Sequence, residues 1–195
     1  MNTRRKFRLT ILAAAVGTAL AVQSLAAAVK VRSDFNKAFD FKQAHTWAWN
    51  PKGAGNVMVA RTSSDDPEAI KRIAEPYVLK TVDTEMPRRG LMPATGAPDL
   101  TLTYYLLLTL GSSAQTMGQF LPSTTQWGIP PFAPVTQSLE FVQQGSLVLD
   151  LSANGEVVWR GVGEAQIKMD LSQEKRAALI VEAVQKVLAK YPPKK

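Results

Sequence analysis

The side chains best suited to chemistry in this sequence are one histidine and four aspartates. His45 is the single imidazole, and the count of zero cysteines excludes disulfides, thiolate metal sites and a cysteine nucleophile. An imidazole beside carboxylates can act in acid–base catalysis, and converging carboxylates can hold a hard cation. The aspartates that could converge are Asp34, Asp40, Asp99 and Asp150. Turn, cap and register roles also explain each aspartate separately. A hydrolase or metal-dependent enzyme that uses His45 and these aspartates is therefore kept only as the alternative to a non-catalytic function.

The other common catalytic motifs are missing from the sequence. Ser63-Ser64 and Ser112-Ser113 lack the strand–turn–helix context that a nucleophilic serine needs. Gly53-Ala54-Gly55 lacks the third glycine and the following Lys-Ser/Thr of a phosphate-binding loop. We therefore predict no catalytic residue, no cofactor and no metal site, and we favour a non-catalytic binding or interaction module.

Aromatic residues supply the candidate contact surface of such a module. Residues 111–137 form a long, proline-rich connection, and loops of this length are either functional or poorly ordered. Aromatic side chains on a loop are common anchors for a partner. The predicted contact residues are Phe120, Trp127 and Phe132 on this loop, with Trp47 and Trp49 on a short strand. The expected partner is an envelope protein or a small apolar ligand.

The N-terminal 28 residues have the pattern of an export signal. Basic residues at positions 4–8 precede an apolar run at 9–21, and small side chains lead to a predicted cut after Ala28. The apolar run is shorter than the roughly 20 residues that cross a bilayer, although an uncleaved anchor remains the alternative. Residues 3–7 also resemble the start of a twin-arginine signal, and the ordinary route stays open. We expect a periplasmic protein with no later transmembrane segment.

Composition and charge fit one soluble domain over residues 29–195. The chain is 46% hydrophobic and 20% charged, which is too apolar for a disordered protein. Removing the four leader cations lowers the formal charge from +7 to +3. Nucleic-acid binding would need basic residues clustered on one face, so we predict no nucleic-acid partner.

Hydrophobic periodicity predicts the elements that position these residues. Alternating patterns predict strands at 29–32, 45–49, 99–110, 139–151 and 156–168. A first helix should begin near Pro67 and end by Gly90, with Pro76 kinking or dividing it near Glu75. Its predicted buried stripe is Ile70, Ile73, Ala74, Tyr77, Val78 and Thr81.

A second helix should begin with Asp170 as its cap and Gln173 completing a capping box, and should end before Pro192. These elements predict an α+β domain. Its antiparallel or mixed sheet would have about five strands, with both helices packed on one face.

The hairpin at Asn154-Gly155 allows two registers. A two-residue type I′ turn would set Arg160 opposite Leu149 and so bury an arginine among leucines. A three-residue loop with a G1 bulge would place Trp159 with the leucines and Arg160 diagonal to Asp150. We predict the bulged hairpin. Its Asp150–Arg160 pair should be exposed, worth at most about 1 kcal/mol, and should mainly define the register.

Several short motifs, taken in order and spacing, resemble one bacterial family. They are Val31 to Asp34, Asp40-Phe41, Thr46 to Trp49, Asp99-Leu100, Gly145 to Asp150, Trp159-Arg160-Gly161 and Tyr191-Pro192-Pro193. Together they resemble the envelope family called domain of unknown function 4136, over nearly all of residues 29–195. The resemblance implies an α+β domain outside the cytoplasmic membrane with no established activity. Members are commonly lipoproteins, whereas this chain has no cysteine to acylate, so we expect a free periplasmic protein.

Overall fold

The computed structural model describes residues 29–60, 66–111, 142–167 and 171–194. In chain order the elements are β1 (Lys30–Phe35), β2 (Thr46–Trp49), β3 (Gly55–Ala60), α1 (Pro67–Glu85), β4 (Met92–Pro93), β5 (Leu100–Gly111), β6 (Val142–Ala153), β7 (Glu156–Ile167) and α2 (Gln173–Leu188). The predicted leader, the loop aromatics Phe120, Trp127 and Phe132, and the predicted cap Asp170 lie outside the described residues.

The strands of the described ranges form one mixed sheet of seven strands in the order β1-β7-β6-β5-β2-β4, with β3 also paired to β5. The long strands β5, β6 and β7 form an antiparallel meander, and β1 adds to it antiparallel to β7. In contrast, β2 and β3 both run parallel to β5. The predicted α+β class with a mixed sheet and two helices is confirmed, with two strands more than expected.

The two additional strands, β3 and β4, carry weak signals in the sequence. Strand β3 opens with Gly55 and Asn56, two residues that are depleted in strands, and it depends on pairing with β5 from Tyr104 to Thr109. Strand β4 is two residues long and includes Pro93. Both segments are therefore strands because they pair with neighbouring strands. Their own residue patterns do not predict a strand.

Helix α1 starts and continues largely as its sequence predicts. The Asp66 side chain accepts a hydrogen bond from Glu68 N at 2.9 Å, and Pro67 occupies the first turn. The helix bends but continues through Pro76 to Glu85. A 3₁₀ turn then leads to Gly90, whose φ of 80° ends the segment in the left-handed region.

Helix α2 starts later than predicted. Its cap is Ser172, whose hydroxyl accepts from Lys175 N at 3.4 Å, so the capping box expected from Asp170 and Gln173 is wrong. Gln173 is instead the first helical residue. Serine and aspartate are comparable caps, so the choice between two candidates two residues apart is not decided by residue type.

Both helices cover the same face of the sheet. The core between them is built from fully buried aliphatic and aromatic side chains: Val78, Val82, Met86, Leu102, Leu149, Leu151, Trp159, Val184, Val187 and Leu188. A glycine allows α2 to lie close to β7, because a Cβ atom on Gly161 would come 2.4 Å from both Val187 Cγ1 and Trp159 Cη2.

The β6–β7 hairpin combines features of the two registers. Ala153 pairs with Glu156, and both central residues have positive φ, 52° at Asn154 and 83° at Gly155, as a two-residue type I′ turn requires. The predicted three-residue loop is therefore wrong. A bulge lies at Val158 instead, and beyond it Trp159 stands opposite Leu151 and shares the face of the leucines, as the burial argument required.

This bulge sets Asp150 directly opposite Arg160. Arg160 donates from Nε to Asp150 Oδ1 at 2.7 Å and from Nη2 to Oδ2 at 2.6 Å, a bidentate pair. The two side chains are 4% and 2% exposed, so the predicted exposed, diagonal pair is wrong. Burial raises the pKa of Asp150, and the ion pair with Arg160 opposes that rise.

By strand alternation the pair lies on the sheet face away from the helices. There it adjoins a second, smaller apolar cluster of Leu107, Val148 and Val162. A buried ion pair with both partners satisfied is costly to break from one side, which makes this pair a structural element and not a surface contact.

Candidate ligand-binding cavity

An apolar cavity of about 410 Å³ lies between α1, α2 and strands β5 to β7. Ile70 and Ala74 line it from α1, and Ala177 and Ala183 line it from α2. Leucine, alanine, isoleucine and glycine residues of the three strands form its floor. A volume in this range is typical of small-molecule sites, which are mostly apolar with a few polar groups.

The cavity forms where small residues face each other across the helix–sheet interface. Gly145 and Gly163 lie on the floor, and Ala74, Ala177 and Ala183 face it from the helices. Closer to the other end of the helix pair, valines, leucines and a methionine fill the same layer completely. The cavity therefore lies beside the filled core, next to the alanines of the helices. At the glycines themselves the neighbours approach closely, since a Cβ atom on Gly145 would come 2.5 Å from Ile167 Cδ1 and one on Gly163 would come 3.0 Å from Val187 Cγ2.

Polar groups occupy one end of this cavity. Gln173 and Arg176, in the first turn of α2, are the described lining residues with amide or charged side chains. Arg176 donates from Nε to the Leu171 carbonyl at 2.9 Å, which restricts its guanidinium beside the opening. The cavity thus has a polar end at the start of α2 and an apolar remainder.

Two residues of the predicted buried stripe on α1 are exposed instead. Ile73 is 51% exposed and Tyr77 is 42% exposed, and both line the cavity. Large apolar side chains left partly in water at the edge of a cavity are typical of a binding site more than of a core. Sequence periodicity places them on the correct helix face but does not show that the opposing residues are too small to cover them.

The two strand tryptophans that we expected at a contact surface are held inside the fold. Trp47 is 3% exposed and packs edge-to-face on Trp49, with their ring centroids 5.4 Å apart. It is therefore not part of an exposed surface, contrary to our expectation. Trp49 is half-buried, contacts Tyr104 at 6.5 Å and donates from Nε1 to Asp83 Oδ1 at 3.1 Å. The Trp49 ring therefore joins β2 to α1 and β5, and the Trp47 ring packs on it from within the core.

The Asp99 carboxylate is hydrogen-bonded to the backbone N–H of His45. Oδ2 of Asp99 accepts from His45 N at 2.9 Å, from Thr46 N at 2.8 Å and from Thr46 Oγ1 at 2.8 Å. These hydrogen bonds, that from His45 N foremost, hold the pKa of Asp99 below its usual value. Asp99 thus anchors the start of β2 next to β5. Its hydrogen bond with His45 is to the backbone N–H, and the His45 charge makes only the smallest contribution to the lowered pKa of Asp99.

The other candidate aspartates also have local roles. Oδ1 of Asp34 accepts from Phe35 N at 2.8 Å, and Oδ1 of Asp40 accepts from Lys42 N at 3.1 Å, as in a turn. Within the four described ranges, no group of three or more acidic or histidine side chains is arranged to hold a metal ion. The helices of those ranges include none with the length and apolar character needed to cross a membrane.

Comparison with known proteins supports the family resemblance and the fold. The family model described as domain of unknown function (DUF4136) matches residues 31–193, which confirms the resemblance inferred from the sequence. No curated protein sequence matches the chain.

Two solved structures are similar to this chain, and the first of them shows a similarity of fold. A PDZ domain protein from Parabacteroides distasonis is 13% identical with a TM-score of 0.51; the match covers 86% of this chain but only 37% of that one. A DUF4136 family protein from Bacteroides thetaiotaomicron is 16% identical with a TM-score of 0.44, covering 84% of this chain and 96% of that one.

The cavity residues were missed as a site by sequence reasoning. Ile70, Ile73, Ala74 and Tyr77 belong to the predicted buried stripe of α1 and Gln173 to the predicted capping box, while the strand residues belong to predicted strands, which is the commoner meaning of such patterns. The available signal was the alternation of Ala74, Ala177 and Ala183 with large residues on the same stripes, set against glycines on the strands.

Proposed function

We propose that this chain, which belongs to the DUF4136 family of unknown function over residues 31–193, is a non-catalytic binding module of the cell envelope. Its ligand would be a small apolar molecule. The ligand site is the cavity between α1, α2 and β5 to β7. The observation that carries this proposal is the volume of about 410 Å³ with a mostly apolar lining.

The composition of the cavity supports binding more than catalysis. Its described lining offers an amide, a guanidinium and the phenol of Tyr77, but no histidine, carboxylate or serine, which are the commoner groups of acid–base and nucleophilic catalysis. Burial of apolar surface contributes about 25 cal/mol per Å², so a ligand that fills an apolar cavity gains most of its affinity from the fit alone.

The export part of the proposal depends on the N-terminal sequence. Basic residues at 4–8, the apolar run at 9–21 and the alanines ending at Ala28 have the order of a cleavable signal. Since no cysteine is present to carry a lipid, the mature protein would be free in the periplasm.

A probe of apolar sites tests the ligand proposal. N-phenyl-1-naphthylamine is neutral and becomes fluorescent in apolar surroundings, so we expect saturable binding to the purified full-length chain. The substitution Ala177→Phe places a ring in the cavity and should weaken probe binding by at least about tenfold, which corresponds to about 1.4 kcal/mol. Fluorescence titration measures both affinities.

The neighbouring substitution Ala178→Phe is the matched control. Ala178 is exposed, lies on the same helix and does not line the cavity, so the same added ring should leave the affinity unchanged. Circular dichroism melting identifies any variant that has lost its fold. Equal probe affinity for the wild type and Ala177→Phe, both folded, would reject the cavity as the site.

Cell fractionation tests export. We expect the protein in the periplasm with Val29 as its first residue, which N-terminal sequencing determines, and a deletion of residues 1–28 should leave it in the cytosol. Replacing Arg4 and Arg5 by lysine keeps the charge and blocks only a twin-arginine route, so this variant identifies the pathway. An intact precursor in the cytosol of wild-type cells would contradict the proposal.

A further inference from the structure

We infer that the cavity is a slot for one unbranched alkyl chain, which enters beside the start of α2 and ends with its terminal methyl group at Ala183. This assignment rests on the proposed function and names the class of its ligand. Three properties of the cavity carry it: its length, its closed inner end and its aliphatic lining.

The cavity is long compared with its volume. Along α2 its lining runs from Gln173 to Ala183, about 15 Å at 1.5 Å per helical residue. Along β7 it runs from Gly163 to Ile167, about 13 Å at 3.3 Å per strand residue. A volume of about 410 Å³ spread over this length gives a narrow space. One extended chain fits this space better than a compact ring system.

The two ends of the cavity differ in their access to water. At the outer end Gln173 is exposed and Arg176 is half-buried. At the inner end Ala183 is 8% exposed and lies beside Gly163, whose strand partner Leu147 is 3% exposed. A ligand chain would therefore enter at the start of α2 and run inward along β7.

Large side chains close the inner end of the cavity. A Cβ atom on Gly163 would come 3.0 Å from Val187 Cγ2 and 3.5 Å from Ala183 Cβ. Val184 and Val187, which follow Ala183 on α2, are fully buried. The layer between α2 and the sheet is thus filled beyond Ala183, and a chain that reaches this residue has no further space.

The lining favours an aliphatic chain over an aromatic ring. Its large side chains are mostly leucines and isoleucines from both helices and the three long strands. Among the described lining residues Tyr77 supplies the single aromatic ring, and that side chain is 42% exposed. An aromatic ligand gains from offset or edge-to-face contacts with protein rings, and this lining offers few of them.

The first turn of α2 holds charges of both signs. Glu174 and Lys175 precede Arg176, which already donates from Nε to the Leu171 carbonyl. These charges do not select one head group, so uncharged compounds are the suitable probes of the slot. Alkyl maltosides share one uncharged head while their chain length varies, and each is used below its micelle concentration.

A chain-length series on the wild-type full-length chain tests the slot. Maltosides from octyl to hexadecyl compete with N-phenyl-1-naphthylamine, and fluorescence titration gives each affinity. We expect each added methylene to strengthen binding about fourfold until the chain spans the cavity, and less than about 1.5-fold thereafter. Dodecyl maltoside should bind at least about tenfold tighter than cyclohexylhexyl maltoside, which has the same number of alkyl carbons but ends in a ring.

Two variants at the inner end should shift the levelling of affinity in opposite directions. Ala183→Val adds volume at the closed end, so affinity should level off at a shorter chain. Val187→Ala removes volume behind that end, so affinity should level off at a longer chain. Ala178→Val, at an exposed position outside the lining, is the matched control and should level off as the wild type does. Circular dichroism melting verifies that each variant is folded.

Four results would overturn the inference: affinity that rises without levelling up to hexadecyl maltoside, equal affinity for the straight and ring-ended compounds, levelling at the wild-type length in both folded inner-end variants, or failure of every maltoside to displace the probe. The first two and the last need no variant. Each leaves the proposed function intact as long as N-phenyl-1-naphthylamine binds and Ala177→Phe weakens its binding. Failure of that probe itself to bind would reject the proposed function.

Discussion

Replacing Asp150 by alanine should lower the free energy of unfolding by about 3 kcal/mol. Asp150 accepts both hydrogen bonds of a bidentate pair with Arg160, and both side chains are almost completely buried. Removing one partner leaves a buried charge uncompensated, which typically costs 3–5 kcal/mol. Asp34 lies opposite Arg160 on β1 and retains some attraction, so we expect the lower end of that range. Urea denaturation measures the change.

An exposed ion pair of the same chain is the control for this substitution. Lys186 Nζ lies 2.7 Å from Glu182 Oε1 on α2, with both side chains partly in water, and Lys186→Ala should cost less than about 0.5 kcal/mol. The double substitution of Asp150 by leucine and Arg160 by methionine removes both charges and should be near neutral. If Asp150→Ala and Lys186→Ala had equal effects, the pair would not be buried in solution.

Replacing Trp159 by alanine should cost about 3–5 kcal/mol of unfolding free energy. The indole is fully buried between the sheet and α2, and its ring packs edge-to-face on Tyr191 at 5.6 Å. Loss of such a side chain removes its burial energy and leaves a cavity that the neighbours fill only in part. Thermal and urea unfolding, monitored by circular dichroism, provide the measurement.

Trp159→Phe separates ring burial from hydrogen bonding. Nε1 of Trp159 has no hydrogen-bond partner among the described residues, so phenylalanine loses volume but no hydrogen bond. We expect a cost well below that of alanine. A phenylalanine variant as unstable as the alanine variant would show that Nε1 makes an interaction on which stability depends.

The β6–β7 hairpin shows how far local sequence determines register. The preference of Asn154-Gly155 for positive φ predicts the two-residue turn, and the alternation of leucines predicts that Trp159 shares their face. Taken separately these rules conflict, because the turn alone would bury Arg160 opposite Leu149. The bulge at Val158 satisfies both rules. The residue type at that position does not predict a bulge. The bulge forms because the turn geometry and the burial of Trp159 with the leucines require different registers.

The candidate site illustrates the same limit. The periodicity of α1 and α2 correctly identifies the faces that turn toward the sheet, because apolar residues recur at helical spacing. Whether a face is filled or leaves a cavity depends on which side chains of β5, β6 and β7 stand opposite it. That is decided by strand register and by glycines such as Gly145 and Gly163, which lie about 20 residues apart in the chain and on adjacent strands in the fold.

Ordered short motifs are enough to predict the family, and periodicity and end signals within short windows are enough to predict the α+β class, both helices and the long strands. The burial of Asp150 and Arg160, the internal position of Trp47 and the cavity lined by residues of five elements follow from the packing of the folded chain. Burial of a side chain depends on the residues that pack against it from other elements. The sequence of one element shows which of its faces is apolar, whereas the residues that pack against that face are known only from the folded structure.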